Sequence, residues 1–179
     1  TLQNYITVLT SSNMTTWMRN SVVVALVSAA IAVTIGVLAA YSLARLKFWG
    51  SQTMARSVLF MYLLPASLLF IPMFLVMSNL NMLNTLWALM IAYQTFNVPF
   101  CTWMLLGYFR AMPVEMEDAA LIDGCTRMQV LRHVVLPLLK PGLWAAASVV
   151  FLFTFTAYGT VRLLGGSRYA TIEVEVARR

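Results

Sequence analysis

The chain has 179 residues, of which 61% are hydrophobic and only 10% are charged. Soluble domains carry about 25% charged residues because they must present a wetted surface, so this composition excludes an ordinary soluble domain and favours a membrane protein. The formal net charge of +6 would suit nucleic acid, but the basic residues lie between long apolar runs and form no aromatic-studded basic cluster, so they indicate membrane topology.

Four apolar runs are long enough to cross a bilayer, which requires about 20 residues of helix. None has an Asp, Glu, Lys, Arg or His in its core. Their backbones must be helical there, because lipid offers no partner to an open N–H or C=O group. The runs cover about residues 20–44, 57–78, 84–109 and 141–161. We therefore predict an all-α membrane protein, a bundle of transmembrane helices that forms a single domain over residues 1–179.

Lysine and arginine residues near the ends of the runs predict the orientation in the membrane. The connection over residues 79–83 carries no charge, whereas the first and third connections are basic. By the positive-inside rule these two connections are cytoplasmic, and residues 1–16 and the tail after Val161 lie outside, although Arg162 and Arg168 oppose this. The basic residues of the two connections are Arg45, Lys47, Arg56, Arg110, Arg127, Arg132 and Lys140.

Small residues and prolines within the spans predict how the helices pack and bend. The first span repeats small residues every four positions, a ridge that lets another helix approach closely. This ridge predicts packing within the chain or a seam with a partner subunit, and we favour packing. Pro65, Pro72 and Pro99 each remove a backbone hydrogen bond and can kink the second or third span. The small residues are Ser28, Ala32, Gly36 and Ala40.

The third span also carries three polar residues, Tyr93, Gln94 and Asn97, at helix-compatible spacing. They are candidates to line a pathway, or equally to bond neighbouring helices, and the sequence leaves both interpretations open. No ionisable Asp, Glu, Lys, Arg or His lies at membrane depth, which argues against an intramembrane enzyme or a proton-driven transporter. A scaffold subunit without a pathway of its own stays an alternative.

The cysteine and histidine residues do not suggest a metal site. Cys101 lies in an apolar run and Cys125 in a polar loop, so a structural disulfide is not expected, and no metal-ligand spacing is present. His133 has no Cys or His nearby and is interpreted as an ordinary helix or loop residue. We expect neither a metal nor a cofactor bound to this chain.

The third connection, residues 110–140, predicts two short helices joined by a glycine turn. Pro113 suits the first turn of a helix, where its missing N–H is not needed, and acidic residues follow near the positive helix end. Gly124 can adopt the left-handed conformation that ends this helix, and Thr126 with Gln129 forms a capping-box pattern that begins the next. The acidic residues are Glu115, Glu117 and Asp118, and the predicted apolar face of the second helix is Met128, Leu131, Val135 and Leu138.

The first of these helices is too short to be stable alone in water. It must either pack on the ends of the spans or dock into a groove on another protein, which is a common mode of recognition for short helices.

Residues 118–137 resemble the "EAA" loop of binding-protein-dependent ABC importer permeases. The pattern is Asp118-Ala119-Ala120, three residues, Gly124, nine residues, Val134, one residue and Leu136-Pro137. It departs from that family at Asp118, which replaces Glu, and at Val134, which replaces Ile. Residues 41–46, 71–74 and 84–89 resemble the sugar branch, near the second maltose permease subunit, whereas residues 151–175 are similar to thiamine and ferric-iron permeases.

The resemblance implies a membrane-spanning permease of an ATP-driven importer in a bacterial or archaeal plasma (inner) membrane. The substrate would be a sugar, with thiamine, ferric iron or another small solute as the alternative. The implied partners are an ABC ATPase dimer, a second permease subunit or identical copy, an extracytoplasmic binding protein and membrane lipid, but no nucleic acid. The candidate ATPase-coupling residues are Glu117, Asp118, Ala119, Ala120, Asp123, Gly124, Leu136 and Pro137.

ATP hydrolysis is expected on the partner ATPase, so this chain is not expected to be an enzyme. It contains no Gly-x-x-x-x-Gly-Lys-Ser/Thr phosphate loop, and residues 165–168 lack the lysine. Permeases of this family have about six spans, and the four predicted here would match the second to fifth. The chain is therefore expected to be a fragment of a longer permease.

Overall fold

The computed structural model describes residues 14–46, 48–157, 160, 161 and 164, and these residues form helices and turns without a strand. The predicted all-α fold is thus confirmed. The predicted external ends, including Arg162, Arg168 and residues 165–175, lie largely or wholly outside the described residues. The elements are α1 (Met14–Arg45), α2 (Ser51–Leu63), α3 (Ala66–Asn79), α4 (Leu86–Ala111), α5 (Glu115–Ile122), α6 (Arg127–Val130), a π-helical turn (Leu131–Val135) and α7 (Leu136–Phe155).

Among the residues that the structure describes, three continuous helical stretches are long and apolar enough to cross a membrane, namely Thr15–Arg45, Leu86–Ala111 and Arg127–Phe155. The first two contain or nearly coincide with the predicted spans 20–44 and 84–109. The last begins well before the predicted residue 141, because the second helix of the loop continues into the span instead of ending ahead of it.

The predicted span over residues 57–78 is not one straight helix. Helix α2 ends at Leu63 and α3 begins at Ala66, so the run is broken between them. Pro65, which precedes α3, has an extended backbone with φ −60° and ψ 124°. Its ring disfavours the helical conformation for Leu64 and it offers no N–H to the preceding turn, so the helix breaks there. Pro72 and Pro99, by contrast, lie inside α3 and α4.

The contacts of the chain divide it into two compact units. The first comprises Thr1–Ile31, Leu64–Asn97 and Val150–Arg179, and its buried apolar core draws on α1, α3 and α4. The second comprises Ala32–Leu63 and Val98–Val149 and holds the whole of the 110–140 loop. Representative core residues of the first unit are Val24, Met73, Met77, Leu89 and Val161.

In the second unit, the small-residue ridge of α1 packs against α4. A Cβ atom on Gly36 would lie 2.7 Å from the Cβ atom of Cys101, closer than real side chains approach. Ala32, Ala40 and Cys101 are fully buried. This part of the ridge therefore serves packing within the chain, as favoured from the sequence.

An asparagine in the uncharged connection after α3 closes the C-terminal end of that helix. Asn81 has a φ of 53°, and its N–H donates to the Ser78 carbonyl at 3.0 Å, while the Met82 N–H donates to the Met77 carbonyl at 3.0 Å. Asparagine adopts this left-handed conformation more readily than most residues, so it can close the helix as glycine does elsewhere.

The exposed side chains of this connection allow the predicted orientation to be tested. In full-length protein in membrane vesicles, a cysteine replacing Asn81 should react with an impermeant maleimide only from outside. A cysteine replacing the fully exposed Trp49, and the native Cys125, should react only from the cytoplasm. Cys101, which is buried, is the internal control and should stay unlabelled until the protein is denatured. Labelling of Asn81→Cys from the cytoplasmic side would overturn the orientation.

Candidate functional site: the 110–140 loop

Helix α5 begins at Glu115, two residues after Pro113 and not at the proline itself, and it carries the predicted acidic residues in its first turn. The N–H groups of Glu117 and Asp118 donate to the Val114 carbonyl at 2.9 and 3.0 Å, which starts the helix. Glu115 lies in the same turn. These carboxylates oppose the partial positive charge of the helix N-terminus, which stabilises a helix of only eight residues.

Gly124 ends α5 in the way that the sequence predicts. Its φ is +90°, a conformation that side chains rarely adopt. The Gly124 N–H donates to the Leu121 carbonyl at 3.1 Å, and the Cys125 N–H donates to the Ala120 carbonyl at 3.1 Å. Together these two bonds form a Schellman cap, which satisfies carbonyl groups left open at the helix end. A Cβ atom on Gly124 would meet nothing within 4 Å, so a substitution there would be disfavoured only by the positive φ of the backbone.

The predicted capping box at the start of α6 is also present. The Thr126 hydroxyl accepts from the Gln129 N–H at 3.4 Å, and the Gln129 side-chain oxygen accepts from the Thr126 N–H at 2.7 Å. His133, one turn further on, places Nδ1 3.0 Å from the Gln129 carbonyl and is exposed. The turn between α5 and α6 is therefore closed by local hydrogen bonds on both sides.

The predicted apolar face of the second loop helix is only partly correct. Leu131 and Val135 are buried, but Met128 and Leu138 are exposed. A π-helical turn spans Leu131–Val135 and rotates the residues on either side of it relative to a regular helix. Val130 and Leu139 are the residues buried in place of Met128 and Leu138.

The π-helical turn lies immediately before Leu136 and Pro137, the end of the predicted motif. In a regular α-helix the ring of Pro137 would clash with the carbonyl of His133. The wider turn accommodates that ring, and the helix then continues to Phe155. Leu136 is half-buried and Pro137 is exposed.

One face of α5 is fastened to the end of α1 by an ion pair. The Arg45 Nε donates to the Glu117 Oε1 at 2.6 Å, and the Arg45 Nη2 donates to the Met112 carbonyl at 3.2 Å. Both charged side chains are only 9% exposed. Arg45 lies in the last turn of α1, so this contact joins the loop helix to the first span.

The opposite face of α5 is uncovered. We call this the outer face; its members recur at i, i+3, i+4 and i+7, so they share one side of a helix. Ile122 on this face is 86% exposed. The face that packs inward holds Glu117, with Ala120 and Leu121 half-buried. The outer face consists of Glu115, Asp118, Ala119 and Ile122.

The predicted coupling residues therefore fall into two groups. Asp118 and Ala119 lie on the outer face, and Asp123 and Gly124 are exposed at its end. Glu117 and Ala120 instead face the chain itself. The two alanines of the predicted motif are thus divided between the uncovered outer face and internal packing.

The three polar residues of the third span lie in the first unit and make contacts within it. The Tyr93 hydroxyl donates to the Ala157 carbonyl at 3.3 Å, and the Asn97 Nδ2 donates to the Thr154 hydroxyl at 3.0 Å. Tyr93 and Asn97 are buried. These contacts favour interhelical bonding, the second of the two interpretations open from the sequence. A pathway role for them stays a prediction.

Gln94 differs from the other two. Its Nε2 donates to the carbonyls of Met90 at 2.7 Å and Ser28 at 3.4 Å, while its Oε1 is buried with no hydrogen-bond partner among the described atoms. It therefore retains an acceptor that a water molecule or a ligand hydroxyl would satisfy.

Sequence reasoning missed Arg45 and Ile122 as parts of the site. Arg45 counts in the sequence only as one of several basic residues at span ends, and 72 positions separate it from Glu117. The signal available was the scarcity of acidic residues, six in the whole chain, which leaves few partners for an arginine at the end of a span.

Residues 32–175 match the protein family described as "Binding-protein-dependent transport system inner membrane component". The chain is 38% identical over 152 residues to the sulfoquinovosyl glycerol transport system permease protein of Agrobacterium fabrum, covering 85% of this chain and 53% of that protein. It is 32% identical over 160 residues to the trehalose/maltose transport system permease protein of Thermococcus litoralis, covering 88% and 58%. The chain thus spans about half the length of the curated relatives it matches.

The fold is also similar to a solved structure. A chain in the crystal structure of a bacterial ABC transporter involved in the import of the acidic polysaccharide alginate matches with a TM-score of 0.82. The match covers 97% of this chain and 61% of that one at 23% sequence identity, so it supports the fold.

Proposed function

The chain belongs to the family of binding-protein-dependent transport system inner membrane components, and on that premise we propose that it is the permease of an ATP-driven sugar importer. In this proposal its spans contribute to the substrate pathway in the plasma membrane. Its 110–140 loop transmits the conformational changes of a separate ATPase to those spans.

The observation that carries the proposal is the two-sided character of α5. Glu117 fastens one side to Arg45 at the end of the first span, while the outer face bears Ile122 uncovered. An eight-residue helix has little stability of its own in water, so the uncovered side is best explained by a partner. A partner that moved this helix would move α1 with it, as allosteric coupling between two sites requires.

We place ATP binding and hydrolysis on the partner that covers the outer face. The 179 residues contain no Gly-x-x-x-x-Gly-Lys-Ser/Thr sequence, which is the backbone cradle that such ATPases use for phosphate. A dimer of ATPase subunits would bind two such loops, one from this permease and one from a second permease subunit or an identical copy. An extracytoplasmic binding protein would deliver the substrate.

A sugar is favoured as the substrate because the relatives at 38% and 32% identity are named as permeases for sulfoquinovosyl glycerol and for trehalose/maltose. The tail over residues 151–175, which resembles thiamine and ferric-iron permeases, supports the alternative of another small solute. A scaffold without a pathway of its own is the alternative from a different class.

The proposal is tested with the full-length protein reconstituted in liposomes with its ATPase and binding protein. Addition of the cognate disaccharide or sugar glycerol should raise the rate of ATP hydrolysis roughly tenfold. That factor corresponds to a free energy within the usual range for coupling between two sites. Thiamine and ferric iron should give no stimulation. Stimulation by thiamine or ferric iron, and by no sugar, would show that this solute and not a sugar is the substrate. Uptake of labelled sugar that is unchanged when this protein alone is deleted would instead support the scaffold.

A further inference from the structure

A basic cavity of about 460 Å³ lies between α2 and the last turns of α4, within the second unit. Arg56 and Gln52 line it from α2, one turn apart on the same side of that helix, and Arg110 lines it from the last turn of α4. The rest of the lining is aliphatic and aromatic. Those residues include Leu59, Trp103 and Leu106.

The two arginines of this cavity lack a carboxylate partner within the part of the chain that the structure describes. The one ion pair found there joins Arg45 to Glu117 and involves neither of them. Both guanidinium groups are positively charged and line one cavity, so the cavity attracts an anion. Guanidinium groups match phosphate oxygens with paired N–H donors, and the Gln52 amide adds another donor.

The position of the cavity points to lipid as the source of the phosphate. Arg110 ends a membrane span on the predicted cytoplasmic side, where the leaflet carries anionic lipids. On the membrane side of Arg110, Trp103 stacks on Tyr62 with ring centroids 6.0 Å apart and an interplanar angle of 9°. Such aromatic residues mark the headgroup level of a bilayer. The apolar side chains of Leu59 and Leu106 suit the start of an acyl chain.

We propose that this cavity binds the phosphate group of an anionic phospholipid from the cytoplasmic leaflet. The headgroup phosphate lies between Arg56 and Arg110, and the acyl chains extend along α2 and α4. The site is built from α2 and α4 and shares only Arg110 with the 110–140 loop. Its test measures lipid binding, so the result does not depend on which solute is transported.

The test uses the full-length protein in lipid nanodiscs and in detergent. Phosphatidylglycerol should raise the melting temperature, and phosphatidylcholine should not. The Arg56→Gln/Arg110→Gln variant should bind phosphatidylglycerol roughly 30-fold more weakly, about fivefold for each arginine near the membrane surface. The matched control, Arg127→Gln/Arg132→Gln, removes two equally exposed arginines outside the cavity and should bind phosphatidylglycerol as tightly as the wild type does.

Two further arms keep the proposal falsifiable. Arg56→Lys/Arg110→Lys retains the charge and should retain most of the lipid effect, so failure of the glutamine variant to fold would not prevent a result. Inorganic phosphate at millimolar concentration should give little stabilisation. Equal stabilisation by phosphate, or lipid binding unchanged in the glutamine variant, would overturn the lipid site.

Discussion

Replacement of Ala119 by tryptophan should abolish substrate-stimulated ATP hydrolysis in the assembled transporter and leave the protein in the membrane at its normal level. Ala119 is exposed on the outer face of α5, where its methyl group lets a partner surface approach closely. An indole there would hold the two surfaces apart. Overpacking a close contact costs about 1–3 kcal/mol, which corresponds to a roughly 5- to 150-fold loss of docking.

Two matched tryptophan variants distinguish docking from folding. Ala111→Trp adds the same bulk at an exposed position before α5 and should leave hydrolysis and ATPase co-purification unchanged. Ala120→Trp falls on the inward face, where the side chain is half-buried, and should lower the amount of protein in the membrane. Normal transport by Ala119→Trp would show that the outer face does not dock a partner, and the proposed coupling function of the loop would lose its main support.

The ends of the loop helices could be predicted from the sequence because their signals are local. Pro113 and Gly124 bound α5, and Thr126 with Gln129 caps α6, all through bonds that span five residues or fewer. Such contacts depend on residues adjacent in the chain. The membrane-crossing character of the long helices follows from composition for the same reason.

The features that escaped prediction depend on residues distant in sequence or on backbone geometry that a pattern does not encode. Periodicity shows that α5 has two faces but not which one packs inward; the division of Ala119 from Ala120 needs the position of α1. Prolines predicted kinks in three places, and the helix is broken at Pro65, whereas Pro72 and Pro99 lie inside continuous helices. With the π-helical turn at Leu131–Val135, the helix buries Val130 and Leu139 where the pattern predicted Met128 and Leu138.

Glu117→Gln should uncouple the transporter nearly as strongly as Ala119→Trp, although Glu117 never faces the partner. The substitution keeps the size of the side chain but leaves the Arg45 guanidinium without a counter-charge in a site where both groups are 9% exposed. Removing one member of a buried pair costs about 3–5 kcal/mol. A loss of about 3 kcal/mol would reduce the population of correctly seated α5 roughly 100-fold. Arg45→Met should have a similar effect, because it leaves the carboxylate unpaired and the Met112 carbonyl without its donor.

The double variant Arg45→Met/Glu117→Leu decides what the pair does. It leaves no buried charge, and apolar replacement of a whole buried pair is often neutral for stability. If the pair fastens α5 to α1, the double variant should hydrolyse ATP faster than either single variant, with an interaction free energy of about 1–3 kcal/mol in the mutant cycle. Arg127→Gln, an exposed charge in the same loop, controls for net charge and should have little effect. Independent losses that simply multiply in the double variant would mean that Arg45 and Glu117 act separately, and the link from the loop helix to the first span would have to run through other contacts.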